Sequence, residues 1–448
     1  MAALADGADE AVPADHDPVD PAGEAVVMAA VAFDAQVRVG VAGDERGKAL
    51  RTASICRVGP GVDWENFERV FLSTFHEAGG NAHPGGCCVI VSEAPLTPAA
   101  QRNRIVSMLF DRCENVSSVL VAVDAVLAIH ALRGGPGSSN PSGLAVTCTE
   151  SAMYAAPVVE GVYVHSAVVR THLGLDMLAR YFTELARAQV RKTDPEAYKV
   201  FWENVDLSRS RDMLKSACFV ALDYEKDYAT YDDEGPCGLP QYFGEDGSRV
   251  SLRLTSAETQ RNPLGIVLLD QAHFQGCEAL FQPDLLTSGE AGAAAAAAAA
   301  AVAAAAPSGD PDHHLPPTGI VAVVMKAIQK LPVDQQDLMF SNICLLGQGT
   351  MLQNLKERLQ RDVARVVPDR TVIVFDLKGC AQELPYIGAC RLQLYHPEAV
   401  RMRAMTREAY EKAPLCKNAA FRELQCTVLG RRSEHMTEIP GMSKHAEN

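Results

Sequence analysis

The side chains that most often carry out catalysis occur in this sequence in no complete motif. The segment Gly43–Ala49 lacks both the full spacing of a Walker phosphate-binding loop and its final Ser or Thr. No GxSxG or HExxH element occurs either. The arginines of Ser208–Arg211 could bind a phosphate, but a solvated helix is their expected setting. His313 and His314 could bind a metal, but a solvated loop is the expected setting there.

Composition excludes several classes of protein. The 448 residues carry a formal net charge of −15, which argues against general nucleic-acid binding but leaves a basic protein partner open. No apolar run reaches the ~18 residues that a membrane helix needs, and the acidic N-terminus lacks the basic region of a secretory signal. The 13 cysteines include no CxxC pair with zinc spacing, so we expect buried thiols in a reducing compartment, the cytosol or the nucleus.

Most of the organisation of the chain is explained by the segment from Cys87 to Leu132. Apolar runs at Cys87–Val91 and Val119–Val123 predict two buried strands, and Ala125–Ala131 predicts a helix after the second strand. Between the strands, Thr97 is predicted to be the N-cap of another helix, with Pro98 at its first position. This strand, helix, strand, helix order predicts a βαβα unit with a mostly parallel sheet.

Four blocks of this sequence resemble the actin family, and they occur in the order in which that family has them. The resemblance covers roughly residues 37 to 412 and implies an α/β, actin-like fold built from two RNase H-like α/β domains. The blocks are SEAPLTPAAQRNRIVSMLFD followed by LVAVDAVLAIHAL, then KSACFVALDY, EALFQP and NICLLGQGTM.

The resemblance also predicts how the chain is divided. Residues 1–25 are expected to be a disordered acidic tail. Residues 26–142 together with 385–412 form the first lobe, and residues 143–384 form the second, which carries an alanine-rich insertion at 287–318. Residues 413–448 are a C-terminal extension. Only residues 45–63 remain for the subdomain that actins place there, so one filament contact is predicted to be lost.

An ATP pocket between the lobes is what the family has, and its two phosphate loops are altered in this sequence. The Asp-Asn-Gly-Ser-Gly loop of the family corresponds to Val31–Ala35, where Asp34 puts a carboxylate in place of a hydroxyl donor. Arg38 stands at the phosphate-contacting Lys position. The second loop, Asp-Ser-Gly-Asp-Gly in the family, corresponds to Thr147–Ser151 and has lost both glycines, although Glu150 could still hold a metal.

The remaining pocket positions also differ from the family. Its water-positioning Gln corresponds to Asp124, which could act as a base or, as we prefer, as an acidic helix cap, and its partner His corresponds to Tyr154. The adenine-side Lys and Glu fall at Leu214 and Lys215. The glycine-rich turn reads Gly347-Gln348-Gly349-Thr350. Its backbone could run alongside a bound nucleotide, or it could merely turn the chain. Including Ser151 of the second loop, these positions form a vestigial nucleotide site with no metal ligand set of its own.

Because the pocket positions have changed while the scaffold blocks remain, we expect a non-catalytic protein. The sequence does not decide whether this protein still binds ATP and magnesium. The expected role is a structural subunit of a multiprotein cytoskeletal complex in the cytoplasm, in contact with actin or actin-related subunits. It could cap a filament end, as the pointed-end actin-related protein of dynactin does, and is not expected to form homopolymers. The alternatives are a nuclear subunit of a chromatin-remodelling complex and an ATP-binding, filament-forming ATPase.

Overall fold

A computed structural model describes residues 26–33, 36–42, 51–54, 64–80, 86–135, 141–193, 205–234, 252–253, 266–267, 271–288, 292–294, 297, 318–377, 380–412 and 428–429. Several features of the sequence therefore lie outside the described residues. These are the acidic tail 1–25, Asp34, most of residues 45–63, most of the insertion 287–318 with its two histidines, and most of the extension 413–448.

The first sheet is built from strands whose apolar side chains, where the structure describes them, are mostly buried. Its strands in chain order are β1 Val26–Phe33, β2 Gln36–Val41, β3 Arg51–Ser54, β4 Cys87–Glu93 and β5 Val116–Val123. Their spatial order is β3-β2-β1-β4-β5, with β1, β2 and β3 antiparallel and β1, β4 and β5 parallel. The predicted parallel βαβα unit is confirmed.

Three helices follow these strands: α1 Trp64–Glu77, α2 Ala99–Arg112 and α3 Asp124–Arg133. The predicted N-cap of α2 is wrong by one residue. Pro98 occupies the cap position in an extended conformation, and its carbonyl accepts the amides of Gln101 and Arg102. Thr97 instead closes a tight turn, in which its amide donates to the Ala94 carbonyl at 3.1 Å.

The second sheet repeats the topology of the first. Its strands are β6 Gly143–Cys148, β7 Met153–Val159, β8 Val162–Tyr163, β9 Val169–Thr171, and, much later in the chain, β12 Ile343–Leu346 and β13 Val374–Phe375. β7 is antiparallel to β6, to β8 and to β9, while β6, β12 and β13 are parallel. Two short strands, β10 Leu252–Arg253 and β11 Ile266–Val267, form a separate ribbon.

The elements after β9 are mostly helical, and the last of them return to the first sheet. The helices that precede β13 in the chain are α4 Leu175–Thr193, α5 Leu207–Ala217, α6 Tyr224–Glu234, α7 Ala272–Glu278, α8 Ile320–Gln329, α9 Val333–Phe340 and α10 Leu355–Val366. The returning elements are α11 Leu384–Tyr395, α12 Pro397–Arg403, β14 Met405–Thr406, α13 Arg407–Lys412 and β15 Val428–Leu429. β14 and β15 both pair with the outer edge of β5.

The helix α3 lies where the two halves of the molecule meet. Residues 124 to 131 are all buried, and the core around them includes side chains of the second sheet such as Ala156 and Cys344. α11 crosses α3 so closely that a Cβ atom on Gly388 would lie 1.8 Å from the carbonyl oxygen of Leu127. Within the described part of the chain, no helix is both long enough and apolar enough to cross a membrane.

Candidate functional site

Asp124 and Tyr154 meet at the junction of the two sheets. The parallel strand β5 ends at Val123, so Asp124 becomes the first residue of α3, while β7 of the second sheet carries Tyr154. The Tyr154 hydroxyl donates to Asp124 Oδ2 at 2.8 Å. The two positions at which the family resemblance places a water-positioning pair are therefore in contact, and they are bonded to each other.

Burial dominates the chemistry of Asp124. The residue is only 3% exposed, and burial raises the pKa of its carboxyl from 3.8 to about 7. The hydrogen bonds from Tyr154 and from the Ala125 amide lower this pKa, whereas the nearby Glu93 carboxylate raises it. Near neutral pH the carboxyl is therefore protonated in a large fraction of molecules, and a protonated carboxyl is a poor metal ligand. Because the cap position is Val123, Asp124 lies in the first turn of α3 and is not its N-cap.

Two buried oxygen atoms beside this pair lack a hydrogen-bond partner within the described part of the chain. They are Asp124 Oδ1 and the hydroxyl of Thr147, which is opposite Tyr154 in the ladder between β6 and β7. Buried polar atoms in native proteins are nearly always satisfied, frequently by ordered water. A water molecule at each of these atoms would complete their hydrogen bonding.

The second loop forms a tight turn without glycine. The Thr149 amide and its hydroxyl both donate to the Ala152 carbonyl, each at 2.9 Å. None of residues 149–152 has a positive φ, which removes the need for glycine at this turn. The carbonyls of Thr149 and Glu150 in turn accept the amides that begin α4, at 2.9 and 2.8 Å. The turn is thus held against α4, and Ser151 is exposed at its tip.

The Glu150 carboxylate is held by an arginine. Arg211 on α5 contacts Glu150 at 2.6 Å and Asp176 at 3.1 Å, and its side chain is only 17% exposed. The expectation that Arg211 would lie on a solvated helix face is therefore wrong, because α5 packs against α4 and turns this side chain inward. A metal ion at Glu150 would compete with the guanidinium group for the carboxylate.

The other predicted contacts of the second lobe also lie together. Lys215 Nζ donates to Gln348 Oε1 at 2.9 Å, in the turn that follows β12. In the same turn the Thr350 hydroxyl donates to the Gly347 carbonyl at 2.8 Å. A Cβ atom on Gly349 would lie 2.3 Å from Cys148 Sγ, so this glycine allows the turn to pack against the end of β6. Three segments therefore lie against one another here, and one side-chain hydrogen bond, from Lys215 to Gln348, joins two of them. Leu214, at the family's Lys position, is fully buried.

Arg38 is the predicted phosphate contact of the first lobe, and its guanidinium group is held by glutamines. The residue is 3% exposed, and it donates to the Gln382 carbonyl at 3.0 Å and to the Gln382 side chain at 3.3 Å. A further bond goes to the side chain of Gln36 on the same strand. Its predicted neighbour Asp34 lies outside the described residues.

Sequence reasoning missed the partners that fill this site: Gln36, Arg211, Gln348 and Gln382. No local pattern marks the three glutamines, because a Gln side chain is common on any polar surface. The clustered arginines of Ser208–Arg211 were a signal for Arg211, but the sequence did not show that its partner lies some sixty residues earlier.

Magnesium and a triphosphate, which the family resemblance implies, do not fit the described side chains. Glu150 is paired with Arg211, burial raises the pKa of the Asp124 carboxyl to about 7, and Thr147 offers a hydroxyl where the family loop has a carboxylate. Among the described residues, no group of three or more His, Cys, Asp or Glu side chains could hold a metal ion.

Comparison with known families agrees with the fold and with the four blocks. The family model described as Actin matches residues 23–413, which is most of the chain.

Proposed function

Since the chain belongs to the actin family, we propose that it is a non-catalytic member that acts as a structural subunit of a multiprotein cytoskeletal complex. Its partners would be actin or actin-related subunits, and its location would be the cytoplasm. Actins combine a two-lobed scaffold with the hydrolysis of ATP, and this chain would keep the scaffold without the hydrolysis.

The bond between Asp124 and Tyr154 is the observation that supports this proposal most directly. Positioning a water molecule for attack on a phosphate requires polar groups that point at the water. Here one of the two groups donates to the other at 2.8 Å, which leaves the Tyr154 hydroxyl hydrogen unavailable for water. The ion pair of Glu150 with Arg211 has a similar effect at the phosphate loop, since it replaces a metal ion with a fixed cation.

The short segment between Asp44 and Trp64 supports a role at the end of a filament. About twenty residues cannot form the small subdomain through which an actin contacts the next subunit, so one end of this protein would lack that contact. A subunit that joins a filament at only one end terminates it. We therefore propose capping of an actin-like filament within the complex, with little tendency to form homopolymers.

A nucleotide titration tests the absence of catalysis. Fluorescent ATP would be added to the purified full chain with magnesium, and phosphate release would be followed in the same samples, with a conventional actin as the positive control. We expect neither saturable binding at micromolar nucleotide nor phosphate release above the protein-free rate. Magnesium-dependent binding at micromolar concentration together with turnover would refute the proposal in favour of an actin-like ATPase.

A second experiment tests the partners and the location. A tagged copy of the full chain would be purified from cells and also localised by microscopy. We expect co-purification of actin or actin-related subunits and a cytoplasmic signal. A nuclear signal with chromatin-remodelling subunits would replace the cytoskeletal assignment by the nuclear one. Sedimentation at micromolar protein would reveal polymers of this chain alone, a result incompatible with a capping subunit.

A further inference from the structure

α3 is attached to the second sheet at both of its ends. The helix has 10 residues, which corresponds to a length of about 15 Å. Its N-terminal neighbour belongs to the first sheet, because β5 runs directly into its first residue, whereas the next strand in the chain, β6, belongs to the second sheet. Side-chain contacts across the junction therefore decide whether the two sheets can turn relative to each other.

The contact at the first residue of α3 is the hydrogen bond between Asp124 and Tyr154. Both residues are buried, at 3% and 7% exposure, and the two oxygen atoms are 2.8 Å apart. Water therefore competes poorly for this bond, and buried hydrogen bonds are costly to break without replacement.

The contact at the last residue of α3 is made by Arg133. Its Nε and Nη2 atoms donate to the Asn342 side-chain oxygen at 3.0 and 2.5 Å, and its guanidinium carbon lies 4.7 Å from the ring centroid of Phe375. Asn342 is itself held in place. Its side-chain nitrogen Nδ2 donates to the Leu338 carbonyl, and its backbone carbonyl accepts the Leu144 amide. Arg133 thus binds a rigid point of the second sheet, although its own side chain remains partly exposed to solvent.

We propose that α3 is a strut that holds the two sheets at one fixed angle, attached by Tyr154 at its first residue and by Asn342 and Phe375 at its last. A single attachment would leave a pivot, whereas two attachments separated by the length of the helix prevent rotation about that pivot. Gly134 and Gly135 follow Arg133 in the chain, but the Arg133 side chain contacts the second sheet directly, so this attachment does not depend on the backbone at the two glycines. Arg133 is a positioning residue in this account. These two attachments of α3 do not depend on whether a nucleotide binds between the two sheets.

Two single variants and their combination test the strut. Tyr154→Phe removes the first attachment, Arg133→Met removes the second, and amide exchange by mass spectrometry reports on α3 and β12. We expect each single variant to raise exchange a few-fold at its own end of α3, without a change in the radius of gyration from X-ray scattering. The double variant should raise exchange along the whole of α3 by at least tenfold and increase the radius of gyration.

Matched controls keep the outcome interpretable. Arg112→Gln breaks a surface ion pair with Glu68 in which the arginine side chain is 66% exposed, and we expect it to leave both measurements unchanged. Arg133→Lys keeps the charge but loses the planar fork, so it should lie between the native protein and Arg133→Met. The proposal is overturned if the double variant matches the native protein, or if Tyr154→Phe alone raises exchange equally at both ends of α3. Amide exchange and the radius of gyration are both measured without a nucleotide. A failure of the strut proposal can therefore be told apart from a failure of the proposed function.

Discussion

Replacing Asp124 by Asn should remove a pH dependence of stability that the native protein carries. The folded state keeps the Asp124 proton up to a pKa of about 7, whereas the unfolded chain releases it near 3.8. Between these values the folded state binds more protons, so the free energy of unfolding falls as the pH rises. The full difference of about three pKa units corresponds to about 4 kcal/mol. Between pH 6 and pH 8 the loss is about 1.4 kcal/mol, because above pH 7 the folded state ionises as well.

Urea unfolding of Asp124→Asn and of the native protein, at intervals from pH 6 to pH 8, measures this contribution. Glu278 is also buried, and its pKa is raised to about 7, so the native curve alone would mix two titrations. The difference between the native and variant curves isolates Asp124, because both proteins share Glu278. We expect the variant to gain about 1.4 kcal/mol relative to the native protein across this range. A difference that stays constant with pH, or one that changes in the opposite direction, would refute the assignment of a protonated, buried Asp124.

Two further predictions concern packing and charge. Gly388→Ala should destabilise the protein by about 3 kcal/mol or more, since its Cβ would lie 1.8 Å from the Leu127 carbonyl oxygen. Thermal unfolding checks this against Gly135→Ala, which meets nothing within 4 Å and should leave Tm unchanged; equal Tm values for the two variants would contradict the close helix crossing. Glu93→Gln should cost about 3–5 kcal/mol, because it leaves the buried Arg102 without the carboxylate that it contacts at 2.6 and 3.1 Å. Urea unfolding measures this loss, and a cost below 1 kcal/mol would show that the pair is open to solvent.

Local patterns in the sequence predicted the buried strands β4 and β5 and the helices α2 and α3. Val26–Phe33 is an apolar run, and the structure begins and ends β1 at these residues. The apolar residues of α4, Leu175–Thr193, recur every three to four positions, which is the pattern of an amphipathic helix. The cap of α2 lies one residue later than predicted, because the chain is still in the preceding turn at Thr97 and Pro98 takes the cap position.

The sequence, through its resemblance to the family, predicted that the phosphate loops have lost their glycines and that Asp124, Tyr154 and Glu150 correspond to polar positions of the family's pocket. Only the tertiary structure decided what these side chains do, because their partners are distant in the chain. Asp124 finds Tyr154 thirty residues later, and Arg133 finds Asn342 across 209 residues. Hydrophobic periodicity is a local property that a sequence displays directly. The pairing of polar groups depends on which of many acceptors the packed core leaves within about 3 Å, and that is fixed only when both sheets are in place.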